Sequence, residues 1–212
     1  PGLFSQEYPA CMLGVGSNMA KAIKHWLLAT GLAERRGGEG RKRGTEVVLS
    51  GFGRQILDYD QYFNNKDTWA FIHINMVKSE ESTASWNWFL NACADSVFSR
   101  SEVLEQFRRW AKFRAPKEPS PTTLQKDLNC LLSSYAQKVP ADQADAEEAT
   151  DSPLWELELL AYYRGSQRFR VNRQPKELSS HVIGYALATS NGHSQSNRAM
   201  EEITFEEAAT LE

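Results

Sequence analysis

Cysteine is scarce in this 212-residue sequence, and the three present, Cys11, Cys93 and Cys130, lie far apart with no C-x-x-C pair. That excludes a disulfide framework or a cysteine-held zinc site and fits a reducing, cytoplasmic setting. Long apolar runs are missing as well: no stretch approaches the roughly 20 residues a membrane-spanning helix needs, so a membrane is excluded as a partner. The four histidines are scattered, and His25 has no second ligand at helical spacing, so it reads as a polar surface residue and no metal site is predicted. What remains is ordinary globular material, with 41% apolar and 24% charged residues, enough for one large domain or two small ones.

The net charge of −3 hides a segregation of sign along the chain. Residues 17–54 hold eight cations (Lys21, Lys24, Arg35, Arg36, Arg41, Lys42, Arg43 and Arg54) against Glu34, Glu39 and Glu46. Residues 142–158 hold seven acids and no base. A basic face and an acidic linker or outer face follow.

The stretch "GVGSNMAKAIKHWLLATGL", residues 14–32, carries the first structural signal. A phosphate-binding loop would need a preceding buried strand and a third glycine or Gly-Lys-Ser/Thr, none of which is there. Upstream, "SQEYPACML" reads as a short helix with Ser5 as its cap. Downstream, Ser17 reads as the cap of a second helix whose Met19, Ala22, Ile23, Trp26 and Leu27 recur at helical spacing and predict a buried face. The opposite face presents Ser17, Asn18, Lys21, Lys24 and His25, and Gly31 closes the helix in a left-handed conformation. Two helices around a glycine corner make a helix-turn-helix. "LAER", a basic tip "RGGEGRKRG" and the returning "TEVVLS" then predict a hairpin wing before the helical "FGRQIL". In such a module the second helix enters the major groove, where Asn18 and Lys21 meet base edges while Arg41, Lys42 and Arg43 reach phosphates. Winged helices also serve as protein docking modules, and that alternative stands beside the first.

Two aromatic-rich segments follow, "DTWAFIHINMVK" and "STASWNWFLNAC", predicted as helices opened by Asp67 and Ser82. Their tryptophans and phenylalanines read as core rather than a stacking platform, with His73 a satisfied core histidine. A capping box of Ser99 and Glu102 opens "SEVLEQFRRWAKFR". After a proline-marked break, "TTLQKDLNCLLSSYAQK" buries Leu124, Leu128, Leu131, Leu132 and Tyr135 and exposes Thr123, Lys126 and Asn129. "LELELLAYYRGSQRFRVNR" reads as two strands around Gly165 carrying Arg164, Arg168, Arg170 and Arg173, and the pattern of the first module repeats. "PKELSSHVIGYALAT" is a further helix with Pro175 near its start.

The predicted fold is therefore mainly α with small β wings, an α+β protein of two winged helix-turn-helix modules joined by a helical segment. Residues 1–57 form a DNA-binding module lacking its first helix, 58–97 an aromatic-rich connector, 98–175 a second module with an acidic insertion, and 176–212 a helical end. The chain opens at Pro1 and closes in "TFEEAATLE" with Thr204 capping a helix just begun, which predicts a fragment of a longer protein. The DNA-facing residues are Ser17, Asn18, Lys21, Lys24, His25, Arg41, Lys42, Arg43, Thr123, Lys126 and Asn129. No catalytic constellation is readable: Asp58 and Asp60, in "LDYDQYF", could pair on a strand face beside Tyr59 and Tyr62, but acids at a module's end more often belong to a loop.

"LGVGSNMAKAIKHWLLATGL", "SWNWFLN", "TLQKDLNCLLSSY" and "DSPLWELELL", in that order, resemble a bacterial family known as domain-of-unknown-function family four-thousand-and-seven. The resemblance runs from Leu13 to Thr189. It implies a nickase component of DNA phosphorothioation defence, working beside an ATPase, a reductase-like enzyme and a cysteine desulfurase to let sulfur into one DNA strand. It assigns no catalytic residue and no cofactor, and a divalent metal such as magnesium is implied only if the chain nicks DNA. Relatives carry an N-terminal "GHETF"-like segment absent here, and many have Lys where this chain has Ser17. A non-enzymatic scaffold for the sulfur-transfer partners and a winged-helix transcriptional regulator are the competing expectations.

Overall fold

The first corner of the chain is a helix stop followed directly by a helix start. Helix α1 (Pro9–Leu13) ends on Gly14, whose φ of 66° is left-handed, and its N–H returns to the carbonyls of Ala10 and Cys11. Gly16 is extended and stands before helix α2 (Ser17–Ala29). Helix α1 thus begins at Pro9, where the fixed proline φ suits the first turn, rather than near Ser5. Ser17 is the first residue inside α2 and does not cap it. The structure, a computed structural model, describes residues 3–5, 8–37, 45–79, 82–114, 119–139, 152–174 and 176–190. Pro175, Thr204, the hairpin tip and most of the acidic stretch lie outside the described residues.

Thr30 and Gly31 close α2, the latter at φ 77°. Strands β1 (Ala33–Gly37) and β2 (Thr45–Leu49) then pair antiparallel from Ala33↔Leu49 to Gly37↔Thr45, the predicted hairpin. Its base is tied to the helices on both sides by one buried hydroxyl. Ser50 Oγ donates to the Gly31 carbonyl at 2.6 Å and lies 3.1 Å from that of Leu32. It also accepts from Gly53 N at 2.8 Å, capping helix α3 (Gly51–Tyr59).

Beyond α3 the two acids of "LDYDQYF" part company. Asp58 is exposed within the helix, whereas Asp60 ends it and accepts from Thr68 Oγ1 (2.7 Å), Asn64 N (2.8 Å) and Asn65 N (3.1 Å). The Thr68 hydroxyl and those amides hold its carboxyl below the usual range. Asp60 fixes a connection, and no paired-carboxylate strand exists there. Helix α4 (Lys66–Lys78) is capped by Asn65 rather than Asp67, because the Asn65 side chain accepts from Asp67 N.

Helix α5 (Ala84–Ala92) buries Trp86, Trp88 and Phe89. Strand β3 (Val97–Ser99), helix α6 (Arg100–Arg114) and helix α7 (Pro121–Tyr135) follow. The capping box is present: Ser99 N donates to Glu102 at 2.7 Å and Glu102 N to Ser99 Oγ at 3.3 Å. Glu102 also receives Arg168 at 2.9 Å, so one carboxylate ties the helix start to the sheet. All five residues of the predicted α7 stripe are buried. The helix stops at Tyr135, however, and strand β4 (Ala136–Val139) replaces the last predicted turn. Strands β5 (Leu160–Tyr163) and β6 (Arg168–Val171) form the predicted second hairpin, inside a four-stranded sheet ordered β3-β6-β5-β4 in which β4 and β5 run parallel.

The core lies where α5, α6 and α7 meet that sheet. Phe98, stacked on Phe169 at 5.6 Å and edge-on to Phe89 at 5.6 Å, is fully buried with Val103, Leu131 and Leu132. Each such side chain contributes roughly 1.5–3 kcal/mol through burial alone. His73 is the satisfied core histidine expected: its Nδ1 lies 2.8 Å from the Tyr135 hydroxyl. Trp86 Nε1 is buried beside that hydroxyl without reaching hydrogen-bond geometry.

Burial pushes His73 down to about 4 and holds the Tyr135 phenol well above its ordinary value. The folded protein keeps His73 neutral while the unfolded chain takes up its proton near 6.5, so this contribution to stability is complete above pH 6.5 and declines as pH falls toward 4. We expect urea midpoints to drop across that window by the equivalent of up to about 3 kcal/mol. The drop should flatten in His73→Gln, and an equally steep decline in that variant would refute the assignment.

The chain resolves into two compact units, Pro1–Arg173 and Gln174–Glu212. The second contains helix α8 (Ser180–Ser190), which starts five residues beyond Pro175. Among the described residues no helix is long and apolar enough to cross a membrane.

Candidate nucleic-acid interface

Helix geometry places Ser17, Lys21 and His25 at i, i+4 and i+8, one above another along a single edge of α2, with Asn18 beside them. All four are exposed. Lys24 is half-buried and leans away, its ammonium 6.0 Å from the Phe4 ring centroid. Gly16 supplies no side-chain cap and the first turn contains no acid, so the leading N–H groups of α2 keep their preference for an anion.

The buried face of α2 differs from the predicted stripe. Ala20 and Ala29 are its buried residues, Ile23, Trp26 and Leu27 are half-buried, and Met19 is 57% exposed. Met19 joins Tyr8 (67%) and Met12 (63%) as uncovered apolar side chains of this α1–α2 region.

The hairpin projects Arg35 and Arg36 into solvent, and Arg36 pairs loosely with Glu34 at 3.4 Å, an exposed contact worth little. Arg41, Lys42 and Arg43 lie outside the described residues. On α7, Lys126 is exposed, and Thr123 shares a 2.8 Å hydroxyl contact with the capping Ser120. Asn129 Oδ1 accepts from Arg100. Among the arginines near the second hairpin, Arg168 is held by Glu102 and Arg173 donates to the Ala94 carbonyl at 2.9 Å, while Arg170 is exposed.

Helices α2 and α7 share a cleft of about 630 Å³, walled also by α6 and the start of α5. His25 and Asp127 line it and attract one another; burial raises the Asp127 carboxyl, and His25 partly offsets that. Cys130 lines it too, and burial together with the Asp127 charge pushes its thiol up. Among the described residues no group of three or more His, Cys, Asp or Glu side chains is arranged to hold a metal ion.

The sequence model of the family described as "Protein of unknown function (DUF4007)" matches residues 1–211. The chain belongs to the DUF4007 family. Its fold is similar to that of two solved structures, "SspB crystal structure" and "Magnesium ion-bound SspB crystal structure". The first has a TM-score of 0.77 and 22% identity over 93% of this chain and 60% of that one. The second has a TM-score of 0.77 and 21% identity over 92% and 59%. The DUF4007 chain thus spans about three fifths of the length of the structures it matches, and at this identity the likeness establishes the fold. No curated protein matches the chain.

One basic surface of this DUF4007 chain escaped the sequence reading. Arg108, Arg109 and Lys112 are exposed over the last two turns of α6, where cations also suit the negative end of the helix dipole. The signal was present in "FRRWAKFR", which has four cations and no acid.

Proposed function

We propose that the chain is the DNA-binding part of a bacterial DNA phosphorothioate-modification defence system and contacts duplex DNA through α2 and the basic hairpin. The observation that carries this reading is the exposed Ser17–Lys21–His25 edge with Asn18, at the uncapped start of a helix that follows a glycine corner. The order helix, corner, helix, hairpin supports a winged helix-turn-helix for the first module. Strand β3, helices α6 and α7 and the β5–β6 hairpin support a second. The fold shared with SspB supports the setting.

Nicking of one strand to admit sulfur is the finer part of the proposal. No side chain is assigned to cleavage. Magnesium, held by one of the similar SspB structures, finds no ligand set among the described residues, so no step is drawn through it.

Duplex affinity read by fluorescence anisotropy should fall on the order of 10³-fold between 50 and 200 mM salt if roughly six phosphates are neutralised. Binding that ignores salt would overturn the interface. A supercoiled plasmid incubated with and without Mg²⁺ or Mn²⁺ separates nicking, read as open circles, from binding alone.

The uncovered Tyr8, Met12 and Met19 favour a second reading, a scaffold that docks the sulfur-transfer partners: the ATPase, the reductase-like enzyme and the cysteine desulfurase. Capture of one of these by a chain with no measurable DNA affinity would favour it.

A further inference from the structure

The cleft between α2, α5, α6 and α7 combines three properties that neither packing nor the proposed groove contacts require. Its volume of about 630 Å³ lies within the range of small-molecule sites and has room for a base with its sugar and phosphate. Its walls are aromatic. Trp26 meets Trp86 edge-on at 5.5 Å, and Trp110 lies nearly parallel to Phe107 at 5.8 Å with the Arg114 guanidinium 5.9 Å from the Trp110 centroid. Polar side chains line it as well, among them Ser85, Thr123 and Asp127. The Asp127 carboxylate, at an exposed position of α7, is attracted to His25.

We propose that this cleft takes an unpaired nucleobase, guanine above all, between its aromatic walls with Asp127 facing the base edge. Planar π-faces favour any base and contribute about 1–3 kcal/mol per stacked base. A carboxylate selects among them, because it accepts only. Guanine presents two adjacent N–H donors on its Watson–Crick edge, which a carboxylate can accept together; adenine and cytosine present one amino group beside a ring-nitrogen acceptor, and thymine presents a single N–H flanked by two carbonyls that a carboxylate repels. Arg114 and His25 supply positive or donor groups for the attached phosphate.

The base can come from a free nucleotide or from a strand in which it is unstacked. The second source rests on the DNA reading above, since it brings the strand to the edge of α2 that ends at His25.

The test uses the full 212-residue chain and its tryptophan fluorescence. The probes are GMP, TMP, a fully paired duplex, and duplexes bearing one bulged guanine or one bulged thymine. Guanine is expected to be preferred over thymine by at least about tenfold, as GMP, as the bulge, or as both; the probe that shows the preference identifies the source. Asp127→Asn, at an exposed helix position, should erase the preference while leaving circular dichroism and Tm unchanged, and Trp110→Ala should weaken every base. The proposal is overturned if neither GMP nor the bulge binds better than its thymine counterpart, or if the preference survives Asp127→Asn. Paired-duplex binding that persists in that case leaves the groove reading intact. Loss of all duplex binding with GMP still bound would remove the groove reading and keep the cleft.

Discussion

Alanine at both Lys21 and Lys24 is expected to lower duplex affinity by about one to two orders of magnitude at 50 mM salt and to flatten the salt dependence by a slope of about 2 if both reach phosphate. The two residues are not equivalent. Lys21 stands on the exposed edge with Ser17 and His25, whereas Lys24 is half-buried toward Phe4. Lys21→Ala alone should therefore produce most of the loss. Replacing Arg41, Lys42 and Arg43 together should add a comparable decrement if the hairpin tip reaches the backbone. Anisotropy titrations at several salt concentrations measure all of these. If the α2 and hairpin variants bind as the parent does while Arg108, Arg109 and Lys112 substitutions abolish binding, the DNA lies across α6 and the assignment to α2 fails.

The second large effect concerns stability. A Cβ on Gly53 would sit 2.0 Å from the Leu32 carbonyl oxygen, a backbone atom with no freedom to step aside. Gly53→Ala must push α3 away from the end of α2 and stretch the bonds around Ser50. We expect a loss of about 3 kcal/mol, seen as a fall in Tm of roughly 6–12 °C for a chain of this size. Gly51→Ala, two residues earlier on the same helix, meets nothing within 4 Å and should leave Tm level or slightly raised. Equal behaviour of the two variants would show that the close approach at Gly53 is not rigid.

The residues most legible in the sequence were those whose partners are local or whose face is buried along its whole length. The α7 stripe, the Ser99–Glu102 box and the glycine corner each follow from a few neighbouring positions and were read correctly. Met19 was misread because periodicity marks a stripe but cannot say whether another element covers its first turn. The step from helix to strand at Tyr135–Ala136 was invisible for a different reason. Strand β4 exists through parallel pairing with β5, beginning 24 residues further on at Ala136↔Leu160, and nothing in "AQKV" announces so distant a partner. Helix starts slipped by one or two residues wherever two capping side chains stand close together, as with Asn65 and Asp67. For the candidate site, composition showed the basic edge of α2. The cleft is assembled by α2, α5, α6 and α7, whose contributions lie up to a hundred residues apart, and no linear pattern could reveal it.

The Ser50 hydroxyl has a consequence beyond fastening the hairpin. A helix and a hairpin on separate tethers would each surrender orientational freedom when they settled on a double helix. Here both are joined through one buried oxygen to the Gly31 carbonyl after α2 and the first amide turn of α3, so if they contact DNA as proposed, the spacing between their two footprints is set before any contact is made.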